Sequence, residues 1–546
     1  MRAVLIDGYI DEPAALGVPP YISPYVRYTY GALLRMGAVV RYLTIDQVRE
    51  SGEWRLDADL LMIYGGTTVP GHYLSGTPIT LSEVGRLLRE NIHAVRVVSG
   101  PITLAYTIKG GSVAVLPKFE AEHVVRGDVW AFFPEMENEG ARDDYGLVKE
   151  LSAIGAEMIK EHPYFPNVIC EVEVSRGCER SSFCSFCTEP ILHGRLRSRP
   201  VEDIVEEVRA LYKAGCRAFR LGRSANIIAY MSERSGGRPN AMVIEELYSG
   251  IRSVAPDLEV LHTDNANPSY IVRNLREAAK VIEVIAKHNT PGDVLSFGAE
   301  SFDPAVLKEN NIGSAPEEVR RAVEMVNEIG GFRVEGVPKL LPGINLLYGL
   351  PGESEETYRM NYEFLRKILE DGLLLRRINI RQVMVYPGTP LWRRKWRVRI
   401  KKGVFKEWKE RIRREIDVPM MERVFPVGAI LRGVVPEKRK GKLVLGRQLA
   451  SYPVLVGTHS EVERKFDAVV VDHGPRSVTA VKFPFRINET SFEELSSIKG
   501  IGRKRAEEII MKRPFRSIED LKKRLSGETF KVLEKLLEVI EVEEHP

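Results

Sequence analysis

Between residues 168 and 392, short runs of apolar, mostly β-branched residues alternate with amphipathic stretches, and this rhythm restricts the chain more than any other feature. The expected strands are 168–174, 218–222, 258–263, 294–299, 344–349 and 378–386. Helical patterns such as VEDIVEEVRALYKAG and EEVRRAVEMVNEIGG lie between them. Strands that alternate with helices pair in parallel, because each helix carries the chain back across the sheet. Six such units predict an α/β fold built on a partial (β/α)6 barrel of the TIM type.

The 546 residues exceed what one core serves, so flanking domains are expected. Residues 1–130 repeat the strand and helix alternation and predict a doubly wound, Rossmann-like α/β domain. Gly8, Gly65 and Gly100 follow its strand-like runs, at the carboxyl ends where such sheets bind ligands. Residues 131–166 read as a connector, 167–392 as the core and 393–422 as a basic helical linker. Residues 423–487 hold closely spaced strand patterns without helices, which predict a small β domain. Residues 488–546 read as short helices joined by glycine turns.

The start, MRAVLIDGYIDEP, sets acidic residues directly after a short apolar run, unlike a secretory signal. No apolar run approaches the roughly 20 residues of a membrane span, so a cytoplasmic location without a membrane partner is expected. The net charge of +4 does not by itself announce a polyanionic partner. Five cysteines, three of them within ten positions, do not make a disulfide framework and point to a metal site.

Those three are Cys178, Cys184 and Cys187 in RGCERSSFCSFC, on a loop after the first expected barrel strand. Soft thiolates are the ligands of a [4Fe-4S] cluster. Three of them leave one iron open, and an open coordination position is where a cosubstrate binds. A structural zinc site is the alternative, with His193 as the fourth ligand. Cys170 and Cys216 lie in apolar, strand-like contexts and read as core residues.

This loop and the strands after it resemble the radical S-adenosylmethionine (SAM) superfamily from about residue 168 to 392. The resemblance implies a cluster whose open iron binds the amino and carboxylate groups of SAM. It also implies reductive cleavage of SAM to a 5'-deoxyadenosyl radical, with a reductant protein supplying the electron. The family spacing is C-x3-C-x2-C with an aromatic residue before the last cysteine. Phe186 matches the aromatic, while the first gap is two residues longer, an insertion a flexible loop absorbs. FRLGRSANIIAY is similar to the turn that meets the SAM amino group, with Gly222, Arg223 and Ser224 in place, and glycine there permits close approach to a ligand. An ordinary strand-to-helix turn is the alternative. In SFGAESFDPAVLKENN, the resemblance sets Glu300, followed by Ser301, against the SAM ribose, whose hydroxyls need an acceptor. Outside that context Glu300 reads as a helix N-terminal charge. INLLYGLPGESEETY, with Gly349, is similar to the fifth strand and its turn, and QVMVYPGTPLW to the sixth.

The flanks add partners. The layout of residues 1–130 is similar to the cobalamin-binding domain of a large branch of that superfamily, but the D-x-H-x-x-G ligand signature is absent, and His72 reads as a surface residue. Methylthiotransferases share the architecture yet carry a second cluster on three N-terminal cysteines, and here no cysteine precedes Cys170. LGRQLASYPVLVG resembles a TRAM-type RNA-binding barrel. IKGIGRKRAEEII resembles a helix-hairpin-helix motif, in which the turn at Gly500 and Gly502 presents N–H groups to phosphate. Lys499, Arg503, Lys504 and Arg505 add charge there, and the stretch 392–415 mixes Arg and Lys with Trp and Phe. The leading expectation is an enzyme, a methyltransferase or other transferase, that modifies nucleic acid, with tRNA or another structured RNA ahead of DNA. DNA repair and a non-catalytic iron-sulfur nucleic-acid-binding protein are the alternatives.

Overall fold

The computed structural model describes residues 1–12, 15–67, 75–107, 110–129 and 145–542. His72 and most of the expected connector, 131–144, lie outside the described residues. In the N-terminal region, β1 (Arg2–Asp7), β2 (Tyr21–Ile22), β3 (Val39–Thr44), β4 (Leu60–Tyr64), β5 (Val95–Ser99) and β6 (His123–Val124) are the strands that matter here. A parallel sheet of order β3-β1-β4-β5-β6 forms as expected. Its strands bury side chains on both faces, with Leu5, Met62 and Val97 on one side and Ile6, Ile63 and Val98 on the other.

β2 does not join that sheet. It pairs in parallel with the first barrel strand, Tyr21 opposite Ile169 and Ile22 opposite Cys170. The stretch PPYISPYVRYTYG therefore belongs to the barrel and not, as its position suggests, to the N-terminal sheet. Helix α1 (Pro24–Arg35), capped by the Ser23 side chain, follows it. Arg27 of α1 is fully buried against Glu207 at 2.5 Å, which fixes the helix to the barrel wall.

The six expected barrel strands form, as β7 (Ile169–Glu173), β8 (Ala218–Gly222), β9 (Val260–His262), β10 (Asp293–Glu300), β11 (Leu340–Tyr348) and β12 (Arg377–Gln382). They make two parallel half-sheets, β9-β8-β7-β2 and Asn265–Ala266-β10-β11-β12, so β2 and β12 are the free edges of a partial barrel. Alternation sorts each strand. Cys170, Val172, Phe219, Leu221, Leu295, Phe297, Ile378 and Ile380 pack outward in the large core shared with the helices. The opposite face lines the lumen and is polar: Glu171, Glu173, Arg220, Ser296, Glu300, Asn345, Arg377, Asn379 and Arg381.

The linker packs on the barrel through helix α2 (Lys402–Ile412): Trp408 lies against Tyr362 and Phe405 against Tyr348. Strands β13 (Ile430–Lys440), β14 (Leu443–Gln448), β15 (Leu455–Thr458), β16 (Phe466–Gly474) and β17 (Ser477–Lys482) close into the expected small barrel. Its loop 449–453 floors the large one. Tyr21 Oη donates to the carbonyls of Ala450 and Ser451 at 2.9 and 2.7 Å, Ser451 N donates to His262 Nδ1 at 3.1 Å, and Arg376 donates to the Tyr452 carbonyl at 2.7 Å. Helices α3 (Phe492–Ser497) and α4 (Arg503–Met511) belong to the last module. That module begins at Phe485–Arg486, which pairs with Ile540–Glu541, and its core is continuous with Val469, Val471 and Val481 of the small barrel. Among the described residues no helix is long and apolar enough to cross a membrane.

Candidate metal centre and cofactor site

The three cysteines sit on the loop that leaves β7 at the barrel mouth, each partly exposed. Burial pushes the Cys178 thiol up to about 12, with neighbouring Glu179 and Cys184 adding to the shift. Burial also raises Cys184 and Cys187, and the Cys187 thiol feels both Cys184 and Cys178, as Cys178 feels Cys184. Among the described residues, no group of three His, Cys, Asp or Glu side chains is placed to hold one metal ion. His193, the fourth ligand a zinc site needs, is surrounded instead by cations. Burial together with Arg223, Arg176 and Arg197 drives its pKa to about 2. Three thiols without a fourth donor on one loop are the donor set that a cuboidal cluster takes with one iron left open.

The longer first gap is held by contacts of its own. The Glu179 carboxylate accepts from the amides of Asn226 at 3.0 Å and Asn267 at 2.8 Å, beyond the ends of β8 and β9. Arg180 donates to Cys184 Sγ and to the Asn311 carbonyl, both at 2.8 Å. Asn311 in turn donates to Ser182 Oγ and the Phe183 carbonyl, both at 2.7 Å. The longer loop is thus pinned at both ends, and neither Glu179 nor Arg180 was signalled by the motif. Phe186 packs with Cys184 against Leu307, Leu350, Val383 and Leu391.

The expected SAM residues are distributed unevenly. Glu300 does share the mouth. It holds a backbone φ of +62°, burial lifts its carboxyl to about 7 against the pull of Arg381, and its charge is felt by Cys184. Gly349, at φ +91°, sits where a Cβ would strike Ile400, and its N–H donates to Glu353 at 2.6 Å. Ser224 is buried and accepts from Ser175 Oγ at 2.9 Å. The Ser301 hydroxyl is turned away into a contact with Asn361 at 3.4 Å. Arg223, at φ +59°, spends its guanidinium on Glu189 at 2.6 Å and Tyr25 Oη at 2.5 Å.

Gly222 has a different reason from the one expected. A Cβ there would land on Glu171 Oε1 and 2.5 Å from Arg220 Nη1. Its missing side chain makes room for a buried ion network, Arg220 paired with both Glu171 and Asp264. Part of the signal for that network was present in the sequence, since Glu171 and Arg220 are charged residues within strands that are otherwise apolar.

Gly8, Gly65 and Gly100 also serve packing. A Cβ at each would meet, respectively, Ile79 and the Tyr64 carbonyl, Ile102, or the Gly65 carbonyl and Tyr64 ring. Beside them, Tyr9, Thr44, Asp46, Ser75 and Gly76 line a polar cleft at the carboxyl ends of β1 and β3.

The helix-hairpin-helix residues are not gathered at the mouth. Gly500 takes φ +91° against Val532, and Gly502 precedes α4, whose first N–H groups have no side-chain cap. Lys499 reaches Glu422 at 3.3 Å, Arg503 pairs with Glu507 at 2.9 Å and Arg505 with Glu528 at 2.8 Å. These exposed pairs are weak.

Residues 172–365 match the model of the radical SAM superfamily, and residues 484–538 match the helix-hairpin-helix motif. An uncharacterized protein of Methanocaldococcus jannaschii is 41% identical over 504 residues, spanning 88% of this chain and 92% of that protein. A tRNA-2-methylthio-N(6)-dimethylallyladenosine synthase of Chlorobium phaeobacteroides is 28% identical over 215 residues, 39% of this chain and 43% of the synthase. Among solved structures, the radical SAM methyltransferase TsrM of Kitasatospora setae, with tryptophan and a SAM analogue bound, aligns over 71% of this chain and 74% of its own. The TM-score is 0.47 and the identity 15%. The chain belongs to the radical SAM superfamily, enzymes that use a [4Fe-4S] cluster and SAM, and joins that core to a helix-hairpin-helix motif over nearly the full length of its M. jannaschii relative.

Proposed function

We propose that this radical SAM enzyme modifies a nucleic acid, with tRNA or another structured RNA as the substrate ahead of DNA. The observation that carries the reading is Trp396. Its ring is 71% exposed, while Trp392, Phe405 and Trp408 of the same stretch pack against the protein. The stretch is tied to the cluster loop, since Leu391 N donates to the Ser185 carbonyl at 2.8 Å. An exposed indole among Arg393, Lys395 and Arg397, beside the mouth, is a platform on which a base stacks. The uncapped N-terminus of α4 supplies sequence-independent phosphate contact. The Chlorobium relative, a tRNA-modifying enzyme by name, favours RNA. With no cysteine before Cys170, methylthiolation through a second N-terminal cluster is disfavoured.

In this reading Cys178, Cys184 and Cys187 hold the cluster, and Glu300 accepts from the ribose hydroxyls of SAM. Cluster and SAM, when bound, supply the reductive cleavage that yields a 5'-deoxyadenosyl radical. Phe186 and its apolar neighbours exclude water from that side of the mouth, and loop 449–453 closes the far end. The test is anaerobic incubation of cluster-loaded protein with SAM, a reductant and total tRNA from a deletion strain. A mass-shifted nucleoside together with 5'-deoxyadenosine is expected. Unaltered tRNA alongside altered DNA would overturn the RNA assignment, and absence of 5'-deoxyadenosine with an intact cluster would overturn the site.

A further inference from the structure

The charges of the lumen are distributed unequally. On the half built by β7 and β8, each buried cation has an acid: Arg220 has Glu171 and Asp264, Arg176 has Glu173 at 2.9 Å and Asp128 at 2.6 Å, and Arg223 has Glu189. On the other half, the lumen-facing row of β12 is Arg377, Asn379 and Arg381, beside Gly343, Asn345 and Leu347 of β11. Neither arginine of that row forms a salt bridge among the described residues, and the carboxylate that Arg381 feels is that of Glu300 at the mouth. Arg377 stacks on the Tyr452 ring at 4.2 Å, and Arg381 Nε lies 2.6 Å from the terminal amide group of Asn379. These contacts orient both guanidinium groups without neutralising them. Burial, with Arg381 and Arg476 nearby, pushes the Arg377 pKa down. Arg476 lies at the exposed turn between β16 and β17, so the cations run from surface to lumen. β12 is the last strand of its half-sheet, and the row lies along that edge. Cations left unpaired in a half-buried position are costly, and proteins keep them where an anion arrives.

We infer that Arg377 and Arg381, extended outward by Arg476, form a phosphate-binding track that holds the substrate backbone beside the nucleotide taken into the lumen. The inference rests on the nucleic-acid reading above. A guanidinium fork matches phosphate oxygens in bidentate fashion, and such contacts are the same for RNA and DNA because they read no base. The track runs from Tyr452 of the floor toward the mouth, where Arg381 faces Glu300.

The experiment measures the affinity of full-length, cluster-loaded protein for a fluorescent single-stranded RNA and a DNA of the same sequence, from about 50 to 300 mM KCl. For single strands each lost phosphate contact lowers the log–log salt slope by about 0.7, so R377Q/R381Q is expected to lose about 1.4. R377K/R381K keeps both charges and retains the wild-type slope. An unchanged slope in R377Q/R381Q, with normal wild-type binding, overturns the track and leaves the proposed function standing. Lysines that fail to restore the slope overturn the charge argument as well. Wild-type protein that binds neither oligonucleotide overturns the nucleic-acid reading itself. Displacement of SAM, and not of the oligonucleotide, by inorganic phosphate would overturn the placement of the site.

Discussion

Replacing Gly222 by alanine separates two explanations of one residue. The added Cβ would land on Glu171 Oε1 and within 2.5 Å of Arg220 Nη1, both buried at the end of β8. The strand backbone is held on both sides by β7 and β9, so the ion pair must yield. Breaking a buried pair and stranding its charges costs about 3–5 kcal/mol. For a barrel of roughly 200 residues, at about 2–4 °C per kcal/mol, the apparent Tm falls by about 6–20 °C. Differential scanning calorimetry of cluster-free G222A against wild type reads this directly. G403A is the control: its Cβ falls in open space at the start of α2, and its Tm stays close to wild type. If G222A melts within about 2 °C of wild type yet binds SAM poorly, the network argument is refuted and the glycine serves the ligand after all.

C178S, C184S and C187S should each abolish retention of iron and its visible absorbance after reconstitution, while C170A and C216A, both in the buried core, retain them. W396A should weaken RNA binding about 5- to 150-fold, the loss of one stacked base, without moving the Tm by more than about 1 °C, and equal affinity would refute the platform. Burial raises the Asp7 carboxyl to about 6, against hydrogen bonds from Tyr9 N and Tyr42 Oη. The folded state then holds this proton more tightly than the unfolded one. Its contribution to stability is full below about pH 4 and is lost as the pH rises through 6. In urea titrations the stability of D7N relative to wild type should rise by about 1.4 kcal/mol per pH unit across that window, and a flat difference refutes the assignment.

The six barrel strands were legible because β-branched runs and helical periodicity reinforce each other over eight or more residues at a time. Tyr21–Ile22 was not, since two residues carry no period, and only the pairing with Ile169 and Cys170 reveals them as a strand. The cysteine loop was legible as a candidate metal site, but the roles of Glu179 and Arg180 depend on Asn226, Asn267 and Asn311, which come together only in three dimensions. Gly222 was read as a ligand contact because the sequence does not show that Glu171 and Arg220 lie across from it. The floor made by loop 449–453 was invisible for a similar reason: LASYP has the composition of any turn.

Tyr21 bonds to the carbonyl of Ser451, 430 residues further along the chain. At about 5–20 residues per second, a ribosome needs roughly 20–90 s to supply that partner after Tyr21 has emerged. During that interval the barrel has its first strand but not its floor, and a polar lumen stands open to water. The last step of folding is therefore set by synthesis of the C-terminal third. A nonsense mutation between residues 393 and 448 would release a protein with its cysteine loop and all its barrel strands but no floor.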